Sequence, residues 1–417
     1  MKIKVNKYCL LLFLMIVLEL DCFYLINRYT TYFLGVSYID WLFLFRIGLV
    51  VYTFINHRSE FTTSTLLKAL PFGALLLMIS SSIAGYLTYG QSIFSGILAQ
   101  RDWISCMLLF YPIYIWIKRK KITVRQVVNT LVVFAVIYIL ICSVQYLLID
   151  RVTFLYTNIN QRYGGHRLRL SSCFLAIISG FLVDNLIGSY GKRKDKKIFL
   201  LVLMGYFFLL AVVTKGRMAT LAMVGSITIC LLLRRASVSK KIVSIVVVLI
   251  GFFVVINSQI GMDALDIVFG SGTGLSADTI SVRNVEKEYY LDMVTQSPML
   301  LILGYGYPST AEIAQSISSP TIGYWTYYTT DVGLVGNLFC YGLLGILWFI
   351  ILYRDIFVKG WRIHKQTTRT CYLQFFLIDI IGCFSLWPLC FNFSIALPIL
   401  MAMLDYESNF ILEKDKE

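Results

Sequence analysis

The chain has 417 residues, 58% of them hydrophobic and 14% charged, with a mean hydropathy of +0.75. That is far more apolar surface than one soluble core can bury, so composition excludes a soluble globular or disordered protein and indicates an integral membrane protein. The net charge of +14 does not indicate nucleic acid as a partner, because the lysines gather in short clusters between apolar runs, where positive charge orients a membrane protein.

Taken in chain order, apolar runs predict helices over residues 8–26, 38–55, 66–87, 103–117, 127–148, 170–187, 198–213, 218–233, 242–256, 332–353, 372–389 and 393–404. The expected fold class is all-α: a polytopic membrane protein of about 12 transmembrane helices forming one integral domain, 1–417. The opening MKIKVNK has the charge of a signal peptide. It lacks a small-residue cleavage site, and its apolar run continues through Glu19, Asp21 and Tyr24, so it reads as an uncleaved first span. The ten cysteines lie in or beside apolar segments without a CxxC pair and read as small buried hydrophobes.

With the N-terminus inside, the inner connections are KRKKITVR (118–125), GKRKDKK (191–197), RRASVSKK (234–241) and RDIFVKGWRIHKQTTR (354–369). Both termini are then cytoplasmic, in a bacterial plasma (inner) membrane. On this layout 26 of the 37 Lys and Arg lie inside, counting Lys68 at the inner end of its span, and 10 outside, with Arg46 in the middle of a span. The two sides also differ in kind. Inside are 17 Lys and 9 Arg, whereas outside are 8 Arg (Arg28, Arg101, Arg151, Arg162, Arg167, Arg169, Arg217, Arg283) and only Lys215 and Lys287. Orientation needs only positive charge. A planar fork of donors suits bidentate binding of phosphate or carboxylate, so the outer arginines indicate an anionic ligand.

Three outer stretches carry polar side chains. The arginine-rich loop, 150–169, sets four arginines and His166 around a Gly-Gly turn that lets the charges converge; His166 can be a base, and more readily a donor. The long segment 257–330, between the ninth and tenth spans, exceeds an ordinary connection. Its GSGTGLSADT stretch reads as spacer, Ser281 as the cap of a short helix ended by Pro298, and MLLILGYGYP as a re-entrant or interfacial piece. On that short helix Arg283, Glu286 or Lys287, and Tyr290 share a face. Third, TTDVGLVGNLFCYGLLG opens the tenth span with Asp331 as a cap or a base, and Gly333, Gly336, Gly342 and Gly345 allow a close neighbour. Within the membrane, Arg46 is expected to be neutralised by Glu19 or Asp21, while Asp379 has no evident partner and leaves a transporter open.

TKGRMATLA (214–222), SVRNVEKEYYLDMV with GYGYP downstream, and TDVGLVGNLFCYGLLG occur in the order that resembles the bacterial O-antigen and capsule repeat-unit polymerases (Wzy type), within the superfamily that includes the O-antigen ligases. The ligase branch usually carries a histidine shortly before the acid-glycine pattern. Residues 321–330 contain none, which favours a polymerase. The resemblance implies a metal-independent glycosyltransferase, with no cofactor, that joins polyprenyl-diphosphate-linked oligosaccharides on the outer face of the membrane. A flippase and a chain-length regulator of the same pathway would be its partners. Arg217 and Arg283 are then the first candidates for the diphosphate, with Arg162, Arg167, Arg169 and Lys215 in support. Asp331, Glu286 and His166 are the candidate bases, and Tyr324, Trp325, Tyr327 and Tyr328 offer rings for sugar stacking. A ligase and a lipid-linked oligosaccharide flippase or transporter are the rival readings; no convincing internal repeat supports the latter.

Overall fold

The computed structural model describes residues 6–60, 65–162, 165–187, 193–234, 275–310, 312–322, 325–384, 386, 388 and 394–414. The expected ninth span, 242–256, and the GSGTG stretch at 270–274 lie outside them. The rest is mostly helical, in seventeen helices among the described residues: α1 (Lys7–Glu19), α2 (Asp21–Tyr24), α3 (Tyr38–His57), α4 (Leu66–Tyr89), α5 (Ile93–Ala99), α6 (Arg101–Leu108), α7 (Phe110–Lys118), α8 (Val124–Leu147), α9 (Cys173–Ile187), α10 (Arg193–Phe208), α11 (Arg217–Leu233), α12 (Leu275–Thr295), α13 (Pro298–Leu303), α14 (Glu312–Ser318), α15 (Leu334–Thr367), α16 (Cys371–Gly382) and α17 (Ala396–Lys414). Three two-stranded antiparallel hairpins sit in the connections: β1–β2 (Tyr32–Phe33, Val36–Ser37), β3–β4 (Ile159–Arg162, Gly165–Leu168) and β5–β6 (Thr321–Ile322, Trp325–Thr326).

Five stretches are long and apolar enough to cross a membrane: Tyr38–Glu60, Leu66–Tyr89, Val124–Leu147, Lys196–Val213 and Leu334–Thr367. A sixth is counted if Ile93–Ala99 and Arg101–Lys118, bent by 57°, form one span. This is a membrane-embedded helical protein. Twelve spans are not reached among the described residues, where α9, α11 and α16 are apolar but shorter.

Long-range contacts sort the connections into two ends. At one, Asn6 donates to the Lys121 carbonyl at 2.7 Å, Glu60 pairs with Lys118 and Arg119 at 3.2 and 2.9 Å, and Arg369 pairs with Glu407 at 2.9 Å. There too Asp184 receives the Thr370 and Cys371 N–H groups that open α16. This is the lysine-rich end. At the other, the Tyr156 N–H donates to the Tyr24 carbonyl at 2.7 Å, Arg101 pairs with Asp40 at 3.0 Å, and Lys287 donates to the Phe384 carbonyl at 3.3 Å. This loop-bearing end collects all three hairpins.

Several expectations need correction. α1 stops at Glu19, because that carboxylate turns to accept the Ile395 N–H at 3.0 and 2.8 Å, and the chain leaves through a left-handed turn, Asp21–Tyr24. The basic segment 354–369 is no loop; α15, broken at Gly342 where φ is 62°, runs through it to Thr367. Lys359 there is held by Asp355 at 2.9 Å and Asp405 at 2.7 Å. Arg46 lies 3.8 Å from Glu19, as one of the two expected alternatives had it, and 3.1 Å from Asp102, whereas Asp21 is taken by Arg28 at 2.8 Å. Asp379 is not alone: it accepts a hydrogen bond from the Tyr353 hydroxyl. The nine described cysteines are free thiols, seven of them buried and Cys9 and Cys22 partly exposed.

The GYGYP segment lies between α4 and α15. The Tyr305 N–H donates to the Phe339 carbonyl at 2.7 Å, Thr88 donates to the Tyr305 carbonyl at 2.6 Å, and Ser81 accepts the Tyr307 N–H at 2.7 Å. Gly304 and Gly306 take φ of 76° and 91° against the backbone of α15 and α4, so no side chain fits at either. Gly304 faces Gly342, eight residues below the start of α15 and therefore roughly 12 Å deep. The segment is inserted between the two helices, and the backbone groups of Tyr305 and Tyr307 are satisfied by protein.

Candidate functional site at the loop-bearing end

The second and third outer stretches meet. α12 begins before Ser281, which is therefore inside the helix and not its cap, and ends at Thr295; Pro298 instead opens α13, capped by the Ser297 hydroxyl. LSADT is accordingly helix, not spacer. One face of α12 turns inward. Tyr290 is fully buried and donates to the Ser318 carbonyl at 2.7 Å, and its ring lies 4.8 Å from that of Phe339 in α15.

One turn earlier on the same face, the buried Glu286 carboxylate accepts the Tyr328 N–H at 2.7 Å. Burial pushes its pKa above the usual carboxylate value; the Tyr328 N–H and Arg283 oppose that rise and Asp331 adds to it. Arg283 and Asp331 therefore both lie within electrostatic reach of Glu286. Asp331 ends a short 3-10 turn (Thr329–Asp331) and does not cap α15, whose N-cap is Gly333 with no side-chain bond. Gly333 has φ of 62° and its Cα faces the Cys383 carbonyl, pressing this turn onto the end of α16. Lys287 binds the adjacent Phe384 carbonyl.

The aromatic run divides. Tyr327 is 5% exposed and packed on Tyr289, so it is not open to a sugar, whereas Tyr328 is 47% exposed. Tyr324 and the Trp325 side chain lie outside the described residues.

The first stretch is a hairpin, with Asn160 opposite Arg167 and Gln161 opposite His166. Its polar groups do not all converge, since neighbouring strand residues point to opposite faces. His166 Nε2 lies 2.8 Å from the exposed Asp150 carboxylate, whereas Arg167 Nε donates to the Thr214 carbonyl at 2.8 Å. Arg169 is exposed, its own carbonyl held by Thr157. The Arg162 side chain lies outside the described residues.

Arg167 thus reaches the TKGR hinge. There α10 ends in a π-helical turn, Leu209–Val213, the Gly216 N–H returns to the Leu210 carbonyl at 2.9 Å, and Lys215 is buried with φ of 46°. Gly216 is the N-cap of α11 and Arg217 its first residue; the Arg217 side chain is not among those described. The first turn of α11 contains no acid. A cation at a helix N-terminus opposes the helix dipole, an unfavourable placement that a bound anion would reverse. α16 packs along α11, with Gln374 against Met223 and Ile381 against Gly225, and its end touches the Gly333 turn.

Among the described residues no group of three His, Cys, Asp or Glu is placed to hold a metal ion. Fold and site together define a helical membrane protein with a buried carboxylate, Glu286, and neighbouring arginine and aspartate side chains at one end. Compared with protein-family models and with curated proteins, the chain matches none of them.

Sequence reading missed Asp102 as the second partner of Arg46 and Tyr328 as the backbone donor to Glu286. The first lies beyond any helical spacing from its partner. The second is a main-chain contact that no residue type announces.

Proposed function

We propose that the chain is an outer-face glycosyltransferase that polymerises polyprenyl-diphosphate-linked oligosaccharide repeat units into a surface polysaccharide, O-antigen or capsule. On this reading the loop-bearing end is outside, the lysine-rich end is cytoplasmic in a bacterial plasma membrane, and the chain crosses about 12 times. The observation that carries it is the 2.7 Å bond from the Tyr328 N–H to Glu286, which joins two motifs over forty residues apart and puts Arg283 and Asp331 both within electrostatic reach of that carboxylate, at the end that also bears the Arg167–Thr214 contact and Arg217.

The chemistry follows from charge. The donor is a growing glycan on a diphosphate lipid, and the acceptor is a hydroxyl of a new unit. The acceptor oxygen attacks the anomeric carbon, the bond to the diphosphate breaks, and the lipid diphosphate leaves with the electron pair. Arg217 and Arg283 hold that diphosphate and offset its developing charge, with Arg167, Arg162, Arg169 and Lys215 supplying the surrounding positive field. Glu286 takes the acceptor proton, since burial brings its pKa closer to neutrality. Asp331 is the second candidate base and the neighbour that raises Glu286. His166, tied to Asp150 at the exposed rim, binds rather than transfers.

The test is complementation of cells lacking the gene with Glu286→Gln and Arg283→Lys. Both are expected to export single repeat units and to lose long chains, with unchanged amounts of protein in the membrane. Normal chain length from both overturns this reading.

A further inference from the structure

At the lysine-rich end, away from the site described above, a groove of about 710 Å³ opens between the α7–α8 turn, the last turns of α15 and the C-terminal half of α17. Lys120 and Arg125 stand on one side of it, Arg369 and Glu407 on the other, with Phe410 and Ile411 among its apolar walls. Three cations against one carboxylate leave a surplus of two positive charges. The Glu407 charge is already spent on Arg369 through two hydrogen bonds of 2.9 and 3.0 Å.

Lys120 and Arg125 differ from their neighbours. Lys118 and Arg119 are tied to Glu60, whereas Lys120 and Arg125 are exposed and make no ion pair among the described residues. Lys120 takes φ of 54° in the tight turn that precedes the Thr123 cap, and Arg125 lies on the first turn of α8. The apolar wall is also open, with Phe410 49% exposed.

We propose that this groove binds an anionic phospholipid of the leaflet that meets this end, its phosphate between Lys120 and Arg125 and an acyl chain along Phe410 and Ile411. Two uncommitted cations above an open apolar wall, at the mouth of a membrane helix, match a charged headgroup joined to a hydrocarbon tail. The inference is independent of the glycosyltransferase reading.

The test is native mass spectrometry of the full chain released from micelles containing equal phosphatidylglycerol and phosphatidylcholine of the same acyl chains. Phosphatidylglycerol should be the lipid retained. Lys120→Gln with Arg125→Gln should lower its retention roughly thirtyfold, while Lys121→Gln, outside the groove, should not. Ile411→Trp, which fills the groove without altering charge, should also lower retention and decides the matter if the double variant fails to fold. Equal retention of both lipids, a double variant and Ile411→Trp that both keep phosphatidylglycerol, or full displacement by inorganic phosphate would each overturn the assignment.

Discussion

The carboxylate of Glu286 accepts the backbone N–H of Tyr328 at 2.7 Å. That bond ties α12 to the turn that leads into α15, and so brings the arginine motif to the acid-glycine motif. The bond holds the buried acceptor in place through one of its two oxygens, Oε1.

The arginines are expected to act through the shape of the guanidinium as well as its charge. Arg283→Lys and Arg217→Lys should insert and fold normally yet lose most polymerisation, by on the order of a hundredfold each if one bidentate contact to developing charge is removed. Gel analysis of the surface glycan from complemented cells checks this.

The pH dependence discriminates between the two acids. With Glu286 as base, activity falls as pH drops through its raised pKa, so the acid limb lies above the ordinary glutamate range near 4.3. Asp331→Asn removes a neighbouring negative charge and should move that limb to lower pH with activity kept. Loss of activity at every pH would assign the base to Asp331 instead. For folding the consequence is separate: a carboxyl raised by burial supports the fold while protonated, and that support is lost as pH rises through the raised value.

Gly306→Ala should destabilise the protein by about 2 to 4 kcal/mol, since φ of 91° is strained for alanine and a Cβ would meet the backbone of Gly85 and Ser81. Thermal unfolding in detergent reads this out. Ala substitution at Gly48, which has open space around it, serves as the contrast.

Arg46 is 5% exposed between Glu19 and Asp102. Arg46→Met should cost about 3 to 5 kcal/mol, because it leaves the buried Glu19 carboxylate and the half-buried Asp102 without their cation. Combining it with Glu19→Gln and Asp102→Asn should recover part of the loss in the same unfolding measurement.

Much of this was legible in the sequence for identifiable reasons. Apolar runs located every described helix that lies in an expected span, because each helix in lipid must be apolar along its length. The basic residues Lys120, Arg125 and Arg369 line one groove, so the 118–125 connection and the end of the 354–369 segment share an end as the alternation of basic clusters expects, while 235–241 lies outside the described residues. The shared face of Glu286 and Tyr290 followed from helical spacing. Helix ends were not legible: Glu19 stops α1 by capping a chain segment that begins at Ile395, and α15 outlasts its apolar stretch because Asp355 and Asp405 accommodate Lys359. Nor was the depth of GYGYP, which depends on the glycine at 342 in another helix.

On the proposed reading the chain joins lipid-linked units outside rather than moving them across. Deleting the gene and fractionating the glycans tests it most directly. For a polymerase, long chains vanish while single repeat units still reach the surface. Lipid-linked units stranded on the cytoplasmic face, with none outside, would contradict it.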